Sequence, residues 1–180
     1  MAGVPFPQRV IRMIGASDLA DRVGDAQVAV YGPIVPWAGR SRVLRTSVLG
    51  HSAHPPMTDL TLGCWTSAML LDLAGGEVAR PAAQKLVGVG VLAGAATALT
   101  GAADWASMTG EARRIGAVHA LATDVAIVCF IGSWVARRRG RHATGVALAL
   151  AGNAAGAAAG FLGGHLALAR GTARREPQVP

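Results

Sequence analysis

Four long apolar segments limit what this chain of 180 residues can fold into. Each holds about 20 residues, the length that an α-helix needs to cross a hydrocarbon layer of ~30 Å. We therefore predict four membrane-spanning helices. The segments lie at residues 57–75, 86–105, 115–136 and 143–169.

The composition excludes two other classes of protein. Hydrophobic residues make up 52% of the chain and charged residues 15%, whereas a soluble domain carries about 25% charged residues. The charges are too few to cover an ordinary soluble enzyme, and a disordered chain needs much lower hydrophobicity.

Short connections between the apolar segments predict how the helices are arranged. Neighbouring helices joined by short loops must run antiparallel, so we predict an all-α, up-down four-helix bundle over residues 51–170.

Residues 1–50 are predicted to form an amphipathic segment at the membrane interface. Ser17 and the acids after it indicate a helix start there, because oxygen atoms and negative charge suit a helix N-terminus, and Pro33 and Pro36 are expected to end that stretch. Residues 171–180 are predicted to be a flexible tail.

Glycines recur every fourth residue in the last segment, at Gly152, Gly156, Gly160 and Gly164. Small residues at this spacing let membrane helices approach closely. The partner helix could belong to the same chain or to a second copy, so a homo-oligomer stays open.

The net charge of +7 does not indicate nucleic-acid binding, because the arginines flank the apolar segments instead of forming one basic patch. This distribution predicts a multi-pass protein of the cell membrane. The excess of positive loops favours both termini in the cytoplasm, although the dense cluster at Arg137–Arg141 favours the opposite orientation.

No motif for hydrolysis or nucleotide binding is present in a usable context, and an enzyme is not expected. The cysteines, Cys64 and Cys129, have no CxxC partner, which excludes zinc ribbons and thioredoxin-like chemistry.

Ionisable residues near the ends of the apolar segments are the candidate site. Such residues are costly in a membrane and indicate function. With antiparallel helices, several of them are expected at one membrane level: His54, Asp59, Asp104, His119 and His165.

Three interpretations of this group compete. His54, His119 and His165 could ligate haem iron through neutral imidazole, or hold a divalent metal together with carboxylates. Asp59 and Asp104 would then orient the imidazoles. Alternatively, the same residues pair with one another and tie the helix ends together.

Further polar residues lie inside the segments. Asp72 is near the end of the first segment, and Asp124 lies in the third, with Asn153 as its expected partner. These residues could form a proton path or could hold helices together.

Several short motifs give the chain a family resemblance. They are Gly50-His51-Ser52-Ala53-His54-Pro55, Thr58-Asp59-Leu60-Thr61-Leu62-Gly63, Trp65, Leu71-Asp72, Thr100-Gly101-Ala102-Ala103-Asp104-Trp105, Gly116-Ala117-Val118-His119-Ala120 and Leu162-Gly163-Gly164-His165-Leu166. In these motifs the chain resembles the four-helix membrane proteins of the family called domain of unknown function 2231. Ser52 and Thr61 stand where members of that family usually carry proline.

The resemblance implies a four-helix membrane fold without an established activity. Some members are joined to a Rieske iron–sulfur domain, which implies a redox setting. This chain has no Rieske-type Cys/His pair, so an iron–sulfur centre would belong to a partner protein.

The leading functional hypothesis is therefore a redox-associated membrane component that binds haem or a metal. The alternative is a non-catalytic membrane scaffold or assembly partner, and a small proton or ion transporter using Asp72 and Asp124 is a third.

Overall fold

The computed structural model describes residues 3, 5–45 and 51–174. Within them the fold is all-α and has no sheet, as predicted, and one isolated antiparallel bridge joins His51 to Arg174. Residues 46–50 and 175–180, which belong to the predicted interfacial segment and tail, lie outside the described residues. The helices are α1 (Phe6–Gly15), α2 (Asp18–Tyr31), α3 (Ile34–Arg40), α4 (Arg42–Arg45), α5 (His54–Ala74), α6 (Arg80–Trp105), α7 (Gly110–Arg138) and α8 (His142–Gly164), with a 3₁₀ turn at Glu77–Ala79 and a π-helical turn at His165–Ala169.

The start of α2 follows the sequence prediction. The Ser17 hydroxyl accepts a hydrogen bond from the Ala20 amide at 3.4 Å, and Asp18 and Asp21 occupy the first turn. The prolines act differently from one another. Helix α2 ends at Tyr31, before Pro33, but Pro36 lies in the first turn of α3, where its missing amide hydrogen breaks no helical hydrogen bond.

A glycine-based cap ends α7 and produces the tight turn into α8. Gly140 has φ 72°, the Gly140 amide donates to the Arg137 carbonyl at 3.0 Å, and the Arg141 amide donates to the Ala136 carbonyl at 2.9 Å. These two bonds with a left-handed glycine form a Schellman motif. The chain can therefore reverse within a few residues.

Three of the four predicted spans lie in helices long and apolar enough to cross a membrane: Glu77–Trp105, Gly110–Arg138 and His142–Ala169. Helix α5 has 21 residues but is not among these candidates. Asp59, Asp72 and several hydroxyl side chains lower its mean hydropathy. Among the described residues, three helices therefore fit a multi-pass membrane protein.

The described residues form two compact units. The central unit contains His54–Ala98 and Ala122–Ala158, and the terminal unit contains the described parts of Met1–Ala53, Leu99–Leu121 and Ala159–Pro180. In the central unit the rings of Trp65 and Phe130 stack with centroids 3.9 Å apart at 9°. Small and branched side chains surround them, namely Ala68, Ala83, Val87, Ala126 and Ala149.

Glycines leave room for these aromatic rings. The predicted row of glycines in the last segment makes such close contacts along only part of its length. A Cβ at Gly90 would meet the Trp65 indole, and one at Gly152 would lie 2.7 Å from the Phe130 ring. Gly156 makes ordinary contact with Leu62, whereas a Cβ at Gly160 or Gly164 would meet no atom within 4 Å. A step of four residues turns an α-helix by about 40°, so the row winds away from the core.

In the terminal unit, the N-terminal helices pack against the start of α7. Arg114 donates to the Asp21 carboxylate at 2.8 Å and to the Gly15 carbonyl at 2.9 Å, and Arg113 donates to Asp25 at 2.9 Å. Beneath these polar contacts lies a small apolar cluster formed by Ile11, Ile115, Leu162 and Leu166.

Candidate functional site

His54, the first predicted ligand, begins α5 and is half-buried. Its Nδ1 lies 3.0 Å from the Thr97 carbonyl oxygen of α6. Because a carbonyl only accepts hydrogen bonds, Nδ1 carries the proton of this contact. In a neutral ring Nε2 is then the nitrogen with the lone pair.

The polar contacts between α5 and α6 continue one turn further into the helices. The Thr97 hydroxyl lies 2.9 Å from the Met57 carbonyl oxygen and 2.9 Å from the Thr61 hydroxyl. Thr61 is buried, and its hydroxyl contact with Thr97 is a hydrogen bond between the two helices.

His119, the second predicted ligand, is held in the same way from α7. Its Nδ1 lies 2.8 Å from the Ala159 carbonyl oxygen of α8. A Cβ at Gly163 would come within 2.9 Å of the His119 Cε1, so the absence of a side chain there lets the ring lie directly on α8. An imidazole that donates Nδ1–H to a backbone carbonyl is typical of metal-ligating histidines, because the bond fixes the tautomer and the ring direction.

His165, the third predicted ligand, has a different environment at the start of the π-helical turn. Its Nε2 accepts a hydrogen bond from Arg170 Nε at 3.2 Å. The same guanidinium donates to Glu111 at 2.6 Å. The Nε2 lone pair of His165 is therefore directed at an arginine donor.

Asp104 is buried, and Ser52 Oγ donates to its Oδ2 at 2.5 Å. The Ser52 amide also donates to the Ala173 carbonyl at 2.9 Å. Ser52 was not among the predicted site residues, and a single serine in the sequence gives no signal of a carboxylate partner 52 residues away.

Asp59 does not accompany the histidines. Its side chain is exposed, and within the described residues it forms neither a hydrogen bond nor an ion pair. In this structure it therefore orients no imidazole, because α5 directs it away from the contacts that His54 and Thr61 make with α6.

Asp72 forms the most deeply buried ion pair among the described residues. The guanidinium of Arg137 binds its two carboxylate oxygens at 2.8 and 2.6 Å, and the side chains of Arg137 and Asp72 are 1% and 3% exposed. Arg137 Nε also donates to Ser133 Oγ at 3.1 Å. In the sequence, Arg137 belongs to the charged end of the third predicted helix, and it was not predicted to be the partner of Asp72.

The other polar residues inside the helices have their own contacts. Asp124 is half-buried in α7. The Asn153 amide, expected to contact Asp124, donates to the Ala149 carbonyl of its own helix at 2.9 Å. Helical geometry explains this bond, since a carbonyl four residues earlier is always within reach of a short amide side chain.

Within residues 5–45 and 51–174, no group of three or more His, Cys, Asp or Glu side chains is close enough to hold a metal ion. Both cysteines are free thiols, with Cys64 buried and Cys129 half-buried.

Comparison with known proteins gives no match to any family model, curated protein or solved structure.

Proposed function

We propose that this protein is a redox-associated membrane component that binds haem, or a metal ion, through His54 or His119. The observation that carries the proposal is shared by these two histidines. Each donates Nδ1–H to a backbone carbonyl of a neighbouring helix, at 3.0 and 2.8 Å, so in a neutral ring Nε2 is the nitrogen that would ligate the group. Each is an independent candidate ligand.

His165 is a weaker ligand candidate in this proposal. Ligation through Nε2 would displace the Arg170 guanidinium from the ring. We infer that His165 instead belongs with Arg170 and Glu111 to a polar chain that closes the end of α8. A haem group, when bound, would supply one-electron transfer, and an iron–sulfur protein is the partner class that the sequence resemblance implies.

We also propose that α5 is a fourth membrane span, which completes an up-down bundle. Contacts within the central unit support this arrangement. Thr61 contacts Thr97, and Trp65, one turn later on α5, faces Gly90, which comes earlier on α6. Helices α5 and α6 are therefore antiparallel. Asp72 reaches Arg137 and Trp65 reaches Phe130, so α5 and α7 run in the same direction. Pairing of Asp72 offsets much of the cost of placing its charge in lipid.

Visible spectra and metal analysis of the detergent-purified protein test the cofactor proposal. We expect a Soret band that shifts on reduction, or a near-stoichiometric metal. One of the two variants His54→Ala and His119→Ala should remove most of the bound group, while His142→Ala, which lies beside Asp72, should leave it in place. His165→Ala should have a smaller effect than the variant that removes the group.

Absence of any chromophore and any metal from well-folded protein would contradict the cofactor proposal. Equal cofactor loss in the His142→Ala control would contradict the ligand assignment, because it would point to general destabilisation.

The second candidate function is a non-catalytic membrane scaffold. The observation that favours it is that Asp72, Asp104 and His165 all have protein partners, which is what a purely structural polar cluster requires. Under this alternative His54→Ala and His119→Ala lower the unfolding temperature, and no bound group is found in the wild-type protein.

A further inference from the structure

The four arginines at the end of α7 and in the turn after it have two different environments. Arg137 is buried and neutralised by Asp72. Arg138, Arg139 and Arg141 are exposed, and within the described residues none of these three side chains forms an ion pair. In the part of the chain that the structure describes, three guanidinium groups therefore have no counter-charge at the end of a helix apolar enough to span a membrane.

Trp134 lies one turn before these arginines. The Arg138 guanidinium carbon is 4.9 Å from the centroid of the Trp134 ring, which is within the range of a cation–π contact. The indole packs against α6 at Gly88, where a Cβ would lie 2.8 Å from its Nε1. A half-buried tryptophan at a helix end is characteristic of the headgroup level of a bilayer.

Lys85 adds a fourth positive charge from α6. It is exposed and lies three residues before Gly88, so both residues are on the same side of that helix. Gly88 contacts Trp134. Each of the two helices therefore carries a cation close to the contact between Gly88 and Trp134: Lys85 lies one turn from Gly88 on α6, and Arg138 lies over the indole on α7.

We propose that Trp134, Arg138, Arg139, Arg141 and Lys85 form a docking surface for the headgroup of an anionic phospholipid. Arginine forks bind phosphate oxygens in a bidentate manner, and basic clusters directly outside spanning helices attract anionic lipids. The proposal rests on the membrane placement of α6 and α7 and is independent of a cofactor.

Tryptophan quenching by brominated lipid tests this surface in the full-length protein. Nanodiscs of phosphatidylcholine receive equal mole fractions of brominated phosphatidylglycerol or brominated phosphatidylcholine. The Trp134 signal is the difference between the protein and its Trp134→Phe variant. We expect stronger quenching by the anionic lipid. Because each surface arginine contributes about 5-fold to anionic-lipid attraction, Arg138→Gln/Arg139→Gln/Arg141→Gln should lower the preference by an order of magnitude or more.

A charge-matched control separates the surface from general electrostatics. Arg9→Gln/Arg12→Gln/Arg22→Gln removes three exposed arginines from α1 and α2 and should leave the preference unchanged. Equal quenching by the two lipids, or a preference that survives loss of the three α7-end arginines, overturns the proposal. Loss of the preference on adding inorganic phosphate would identify a free-phosphate site instead of a lipid site and would also overturn it.

Discussion

At the scale of single residues, the burial of a carboxylate distinguishes an acid with a structural role from one that only faces outward. Asp72 and Asp59 are both on α5, yet Asp72 is 3% exposed and held by Arg137, whereas Asp59 faces outward. Removing one partner of a buried pair leaves the other charge uncompensated, which costs more than the pair contributes when it is intact. The same substitution on the two acids should therefore have very different effects.

Asp72→Asn is expected to lower the free energy of unfolding by about 3–5 kcal/mol, since Arg137 stays buried without its counter-charge. Denaturant titration in mixed micelles measures this loss. Asp59→Asn, the matched control, should change stability by less than about 0.5 kcal/mol. The double variant Asp72→Leu/Arg137→Met should recover most of the loss, and a double variant no more stable than Asp72→Asn would argue against an electrostatic cause.

At the scale of helices, close approach depends on where glycines face aromatic rings. Gly90 of α6 lies against the Trp65 indole, and Gly152 of α8 lies against Phe130. Both rings belong to the stack at the centre of the core. Gly160 follows the same four-residue spacing along α8 but meets no atom within 4 Å, so spacing alone does not identify the glycines that packing requires.

Gly90→Ala is expected to destabilise the protein by about 1–3 kcal/mol, because the added methyl group must displace the Trp65 ring in a packed core. Gly160→Ala adds the same methyl group in open space and should instead stabilise α8 by about 0.5–1 kcal/mol through helix propensity. Thermal unfolding of the two variants side by side measures the difference. Equal effects would show that Trp65 does not constrain α6.

At the scale of the whole molecule, the number of spans decides which residues share a side of the membrane. Within the residues that the structure describes, three helices are long and apolar enough to cross the membrane, and α5 is our proposed fourth span. With four spans the segment before α5 and the segment after it lie on opposite sides. With three spans they lie on the same side.

Cysteine labelling in intact cells, in a Cys64→Ser/Cys129→Ser background, distinguishes these topologies. We introduce single cysteines at Ala16, Val78, Thr109 and Arg139, all of which are exposed, and add a membrane-impermeant maleimide. Four spans with cytoplasmic termini predict labelling of Val78→Cys and Arg139→Cys and protection of Ala16→Cys and Thr109→Cys. Equal labelling of Ala16→Cys and Val78→Cys would rule out α5 as a span, and the reverse pattern would invert the orientation.

Much of the fold was accessible from the amino-acid sequence. Three candidate membrane-spanning helices, the short connections between them and the start of α2 follow from hydrophobic length and local capping chemistry, which act between residues close in sequence. The role of Pro36 was missed because a proline permitted in a first turn looks the same in sequence as one that ends a helix.

Several residues of the candidate site could be predicted from the sequence, but the partners that they contact could not. The sequence identified His54, His119 and Asp72 as unusual, because ionisable side chains are costly in an apolar segment. That Asp72 pairs with Arg137, and that two histidines turn Nδ1 toward backbone carbonyls, was settled only in the tertiary structure. Such contacts depend on the rotation of each helix about its own axis, and packing between helices determines that rotation.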